Sequence, residues 1–179
     1  MSVWFWVFLC FSFLGYLLEK AYAFFTHSPQ QNRKCFILLP LCPVYGLAVA
    51  AILLLPPGLT EGWLPLVAAS FLVPCAVEYL MHVYYEKLFR VRYWDYSTLP
   101  LQIHGRICLP FALIWTLLMP IAVRVVAPWL LPRLAAIPLD VTLALWLLLA
   151  ADWLCSRYLL LRFADTELLS VGRILAENR

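Results

Sequence analysis

Glu78 and Arg106 are the residues of this 179-residue sequence whose chemistry stands out most against their surroundings. Glu78 lies inside a long apolar run, about seven residues before its end. At 1.5 Å per residue, that places it roughly 10 Å from an interface. A charged carboxylate at such a depth costs about 3 kcal/mol on insertion scales, so it faces a bundle interior or an aqueous cavity and finds a partner. That setting suits a ligand, ion or proton site. It also suits a salt-bridged or protonated structural carboxylate. Arg106 follows Gly105 where the next apolar run begins. Its guanidinium stays charged, and its planar fork fits carboxylate or phosphate. Two chemistries follow. Arg106 pairs with Glu78 or Glu19, or it grips an anion beside the positive end of a helix. Snorkelling to lipid headgroups is the plainer alternative.

Glu19 sits beside Lys20 near the end of the first apolar run. Tyr93-Trp94-Asp95-Tyr96 sets one carboxylate among three aromatic rings. The cluster reads either as an interfacial anchor or as a cover over a pocket. In the second case Asp95 caps a turn or pairs with Arg106. His82 follows Glu78 by one helical turn and so shares its face. With His104 and Cys108 a metal site can be drawn, but no spacing matches zinc or di-iron patterns, and no metal or cofactor is expected. Asp152 and Arg157 read as pairing or interface residues. No nucleophile–base pair is recognisable. The six cysteines lack a CxxC spacing and mostly lie in or beside apolar runs, so they read as small hydrophobes rather than a disulfide framework.

These side chains need elements to hold them, and the composition says which. The chain is 65% hydrophobic and 13% charged, with a mean hydropathy of +0.87. Soluble domains run near half apolar and a quarter charged. Lipid can absorb this excess apolar surface, and only helices and closed barrels span lipid. The runs are long and continuous rather than short and alternating, which selects helices. The fold expected is an all-α polytopic membrane bundle of about five spans. They cover about 3–25, 35–55, 63–85, 105–126 and 140–161 as one transmembrane domain, with 162–179 as a short amphiphilic tail. Pro40 and Pro43 fall in the first turns of the second span. Pro74 and Pro110 are expected to interrupt the third and fourth, and broken helices build substrate sites in transporters.

Ala21-Tyr22-Ala23 imitates a signal-peptidase site, but no positive n-region precedes it, so a retained first span is expected. Net charge is +3, too small to imply nucleic acid. With the N-terminus outside, eleven of the 13 lysines and arginines fall on the cytoplasmic side, leaving Arg124 and Arg133 outside. Trp4, Trp6, Trp63 and Trp129 then lie at the outer interface, where Trp is favoured. An N-out, C-in protein of the cell membrane is expected.

Several motifs occur in order: Leu17-Leu18-Glu19, Pro40-Leu41-Cys42-Pro43-Val44-Tyr45-Gly46, Val77-Glu78-Tyr79-Leu80, the run from Glu86 to Ser97, and Gly105-Arg106-Ile107-Cys108. Over roughly residues 8–118 the chain resembles the CmpB-type family of bacterial membrane proteins, labelled type IV ABC transporter permeases. It departs from that pattern at Leu39, where the family carries Gly, and at His104, where it carries Asn. The resemblance implies a permease-like component. The chain has no Walker A motif, so an ABC role requires a separate ATPase. Another membrane subunit or a second copy of the chain is a further candidate partner.

On the N-out topology, Glu19, Cys42, Tyr45, Glu78, Trp94, Asp95 and Arg106 all fall in the cytoplasmic half. The leading expectation is a cytoplasm-facing polar pocket for a small solute or lipid headgroup, with Glu78 and Arg106 as its charged centre. A membrane-embedded enzyme acting on a lipid-like substrate and a structural or regulatory partner subunit are the alternatives.

Overall fold

The computed structural model describes residues 2–27, 35, 36, 38–166 and 169. Most of the polar link after the first span, from 28 to 34, and most of the C-terminal tail lie outside the described residues. So do four of the cations counted for topology, Arg33, Lys34, Arg173 and Arg179.

Helix α1 (Ser2–Phe25), helix α4 (Trp63–Phe89) and helix α7 (Leu139–Phe163) follow the three longest uninterrupted apolar stretches. Each exceeds the ~20 residues that cross a bilayer. Helix α4 continues through Pro74 without ending there. It stops at Arg90, whose left-handed backbone lets its N–H close back on the Tyr85 carbonyl. Helix α7 ends the same way at Ala164.

The fourth crossing is composite. Helix α5 (Leu109–Ile121) runs into a π-helical turn (Ala122–Val126) and then helix α6 (Ala127–Ala135). Pro120 and Pro128 flank the wide turn, and each removes a donor from the helical ladder. Arg124 in that turn donates to the carbonyls of Thr60 and Glu61, tying it to the one-turn helix α3 (Pro57–Thr60).

Two expectations are corrected. The second span is helical only over Pro43–Leu53, helix α2, not from residue 35. Leu39 and Cys42 both precede proline, which steers each away from helical dihedrals. Eleven residues rise about 16 Å, roughly half the hydrocarbon thickness. Among the described residues four helices are therefore long and apolar enough to cross a membrane, and α2 is a short apolar helix beside them.

The fourth span does not begin at Gly105. A two-residue hairpin, β1 (Gln102–Ile103) with β2 (Ile107–Cys108), pairs antiparallel there, and α5 starts only at Leu109. Pro110 falls in the first turn of α5, where proline is tolerated, so it does not break that helix. The hairpin turns through left-handed residues at His104 and Gly105. Asn adopts that conformation more readily than His.

The described non-helical residues before α2 are tied to the bundle by backbone hydrogen bonds. The Cys42 N–H donates to the Ser12 carbonyl near the middle of α1, at 2.9 Å. The Leu38 and Leu39 N–H groups donate to the buried carboxylate of Asp152 near the middle of α7, at 3.0 and 2.7 Å. Irregular backbone at membrane depth survives only where protein covers it or a cavity receives it. Helix α2 itself packs tightly on α1. A methyl group at Gly46 would collide with the Phe8 carbonyl oxygen and Ser12 Oγ, and one at Gly15 with the Tyr45 ring. Small residues of this kind let membrane helices approach closely. Val7, Phe11, Val49, Ile52, Leu66 and Trp115 form the core of that contact. A second core gathers Leu9, Phe36, Tyr85, Phe89 and Leu160. Helix α7 leaves Trp146, Leu147 and Leu154 exposed, as a lipid-facing helix does.

Candidate functional site

A cavity of about 230 Å³ opens where α1, α2, α4 and α5 meet the segment after α4. Five of the seven expected site residues line it: Glu19, Cys42, Tyr45, Glu78 and Trp94. They come from four separate stretches of chain. Helix α1 supplies Glu19 and α4 supplies Glu78. The break before α2 puts Cys42 and Tyr45 on the wall. The sharp turn at Arg90 folds Trp94 back over the opening.

Each carboxylate receives a tyrosine hydroxyl. Tyr45 Oη donates to Glu19 Oε1 at 2.8 Å, and Tyr96 Oη donates to Glu78 Oε1 at 2.9 Å. Glu78 is only 5% exposed. Tyr96 stacks on Phe111 with ring centres 4.8 Å apart, and Tyr45 leans on Trp115 at 4.6 Å. Aromatic rings therefore fix the donors that fix the acids. Trp94 is pinned from two sides. Its indole N–H donates to the Arg106 carbonyl at 2.9 Å, and its own carbonyl lies 3.1 Å from His82 Nε2.

Arg106 and Asp95 are placed elsewhere. Arg106 pairs with Glu86 at 2.7 Å, not with Glu78, and donates to Tyr79 Oη at 2.8 Å. Its guanidinium also lies 5.0 Å from the centre of the Tyr79 ring. The bond to Glu86 raises the already high pKa of Arg106. Glu86 receives Arg92 as well, so one carboxylate joins the hairpin and the segment after α4 to the end of α4. Asp95 is exposed and caps a turn: its Oδ1 accepts the Ser97 N–H at 2.9 Å, which holds its carboxyl below the usual range. That is one of the two roles expected for it. His104 Nδ1 lies 3.0 Å from Tyr79 Oη. Among the described residues no three of His, Cys, Asp and Glu gather into a potential metal cluster.

Tyr22, Cys35 and Phe111 are wall residues not expected from the sequence, whereas Tyr93 and Tyr96 belong to the cluster read there as an anchor or a pocket cover. Tyr93 and Tyr96 carried a signal, since they flank Trp94 in the aromatic cluster. Phe111 and Trp115 carried a weaker one, one turn apart on a helix face.

The position of Arg106 makes a first prediction. Arg106→Ala should loosen the hairpin and the Trp94 cover without unfolding the bundle. Hydrogen exchange should rise across residues 93–108 and stay unchanged in α1. Unchanged exchange at 93–108 would mean that Arg106 does not hold this cover.

This is a multi-pass α-helical membrane protein, transporter-like in its apolar helices. The profile of the family described as "Putative ABC-transporter type IV", of the CmpB type, matches residues 6–157, and the chain belongs to that family. No curated protein and no solved structure matches it significantly.

Proposed function

We propose that the chain is a permease-like membrane component whose cavity binds a small polar solute or lipid headgroup from the cytoplasmic side. One observation carries this reading. Glu19 and Glu78, on different helices, face one cavity beside backbone that leaves the helical state at membrane depth. Interrupted helices supply substrate sites in transporters because their freed polar groups point inward. The cytoplasmic orientation rests on the lysine and arginine distribution. Energy coupling would come from a separate ATPase, as the family description suggests. Arg106 and Asp95 act here as supports of the cover, and Glu78 replaces the Glu78–Arg106 pair as the charged centre.

The test is mass spectrometry of small molecules retained by the protein purified in mild detergent. Glu78→Gln preserves shape and the Tyr96 bond but removes the charge. It should stay monodisperse and lose the retained species by tenfold or more. Equal retention by the variant would remove Glu78 from the site.

A further inference from the structure

The segment before α2 holds two thiols side by side. The Cys35 N–H donates to the Leu41 carbonyl at 3.2 Å, which lays Cys35 against the residue before Cys42. The Cys42 N–H is fixed in turn on the Ser12 carbonyl, and Leu38 and Leu39 are held by Asp152. The two thiols come within hydrogen-bonding reach of each other. Both are buried, and both line the cavity. Taken singly, each cysteine reads as a small hydrophobe. Two sulfurs together on the wall of one cavity make a chelate, and its backbone is fixed before any ion arrives.

Two phenols stand around the pair. The Tyr85 hydroxyl lies within hydrogen-bonding reach of the Cys35 sulfur. The Tyr93 ring packs edge-on against Tyr85, with ring centres 4.6 Å apart, and its hydroxyl is close enough to both thiols to interact electrostatically. Tyr93 adds a separate indication. It is 8% exposed, it lines the cavity, and its hydroxyl has no hydrogen-bond partner among the described residues. A buried hydroxyl in that state calls for a partner. A neutral thiol is a weak acceptor, whereas an ionised one accepts strongly. Sulfurs that lose their protons to a metal ion therefore give Tyr93 the acceptor it lacks.

The number of ligands selects the ion. Thiolates favour copper(I), zinc and iron–sulfur clusters. Zinc takes three or four protein ligands, and iron–sulfur clusters take four. Among the described residues no third His, Cys, Asp or Glu joins the pair. Copper(I) has a filled d shell and accepts two sulfurs in a line, so two thiolates complete its shell.

We propose that Cys35 and Cys42 form a two-sulfur site for copper(I), reached through the cavity. Binding replaces two S–H bonds with two S–Cu bonds and releases two protons, and copper stays monovalent throughout. The complex carries one net negative charge, and the Tyr85 and Tyr93 hydroxyls donate to its sulfurs. The site uses neither glutamate, so it goes beyond the solute reading and stands apart from it.

The experiment is anaerobic titration of the purified full chain with copper(I), using bicinchoninate as the competing chelator. The chain should withdraw one ion, release two protons for it, and bind more tightly as pH rises. Cys35→Ser and Cys42→Ser should each weaken binding by a hundredfold or more. Cys155→Ser, which is not on the cavity wall, should leave it unchanged. Tyr93→Phe removes only a hydroxyl without a partner, so its folded yield should be native while its copper affinity falls about tenfold. X-ray absorption at the copper edge of the loaded native chain covers the case of a serine variant that aggregates, and should show two sulfur neighbours. No withdrawal of copper, copper retained by a folded serine variant, or nitrogen and oxygen neighbours would each overturn the site. Native affinity in Tyr93→Phe would overturn the part given to the phenols. Retention of co-purifying solutes reports on Glu78 and withdrawal of copper on the thiols, so the two readings fail separately.

Discussion

Gly46→Val should abolish the folded, monodisperse protein. The side chain would have to enter space already held by the Phe8 carbonyl oxygen and Ser12 Oγ. Backbone cannot rotate away as a flexible side chain can, so α2 would have to leave α1. Overpacking costs about 1–3 kcal/mol where neighbours can shift, and more where they cannot. Helix contact in lipid depends on close packing, because apolar burial gives little drive there. The damage would also spread, since the α1–α2 contact places the Cys42 N–H on the Ser12 carbonyl. Gly58→Ala is the control, with nothing near its added methyl. Size-exclusion profiles after mild solubilisation should show aggregate for Gly46→Val and a native peak for Gly58→Ala. A native peak for both would mean that α2 does not sit against α1 at Gly46. Gly15→Ala should also destabilise: its methyl meets Cβ and Cγ of Tyr45, next to the backbone of α2, so the clash cannot be relieved by turning the ring alone and the Tyr45–Glu19 bond is disturbed.

The long helices were legible because lipid imposes a simple requirement, and uninterrupted apolar runs such as 63–89 meet it. What escaped were elements decided by local backbone chemistry. Two prolines within four residues look compatible with a helix start when each is taken alone. Together they place both Leu39 and Cys42 before a proline, and the first third of the expected span leaves the helix. The Gln102–Cys108 hairpin has strands too short for any periodic signal. The acids of the site were legible for an energetic reason, since an intramembrane carboxylate is costly enough to demand a purpose. Their partners were not. Arg106 is nearer Glu78 than many residues are in sequence, yet Glu86, two turns further along α4, is the carboxylate that the hairpin reaches. Pairing depends on where the chain folds back after Arg90, and no spacing reports that.

Asp152 governs the other large expected effect. It was read as a pairing or interface residue, and it serves as an anchor for irregular backbone. It is 2% exposed and accepts the Leu38 and Leu39 N–H groups, with Ser156 Oγ at 3.4 Å from its Oδ1. Replacing it with leucine keeps similar bulk but leaves two amides without acceptors. Each unsatisfied buried group costs about 1–3 kcal/mol. Removal of the costly buried charge offsets part of that loss. Asp152→Asn retains one acceptor oxygen, so it should fold and release the segment only partly. Thiol chemistry reads the result directly. Cys35 and Cys42 flank this segment and are buried. Asp152→Asn should raise maleimide labelling of Cys35 and Cys42 by tenfold or more over the native protein. Because both buried thiols line the cavity, the same variant should weaken retention of its ligand. Unchanged labelling would show that Ser12 and the α1–α2 packing hold the segment without Asp152, and the anchor would then be α1 rather than α7.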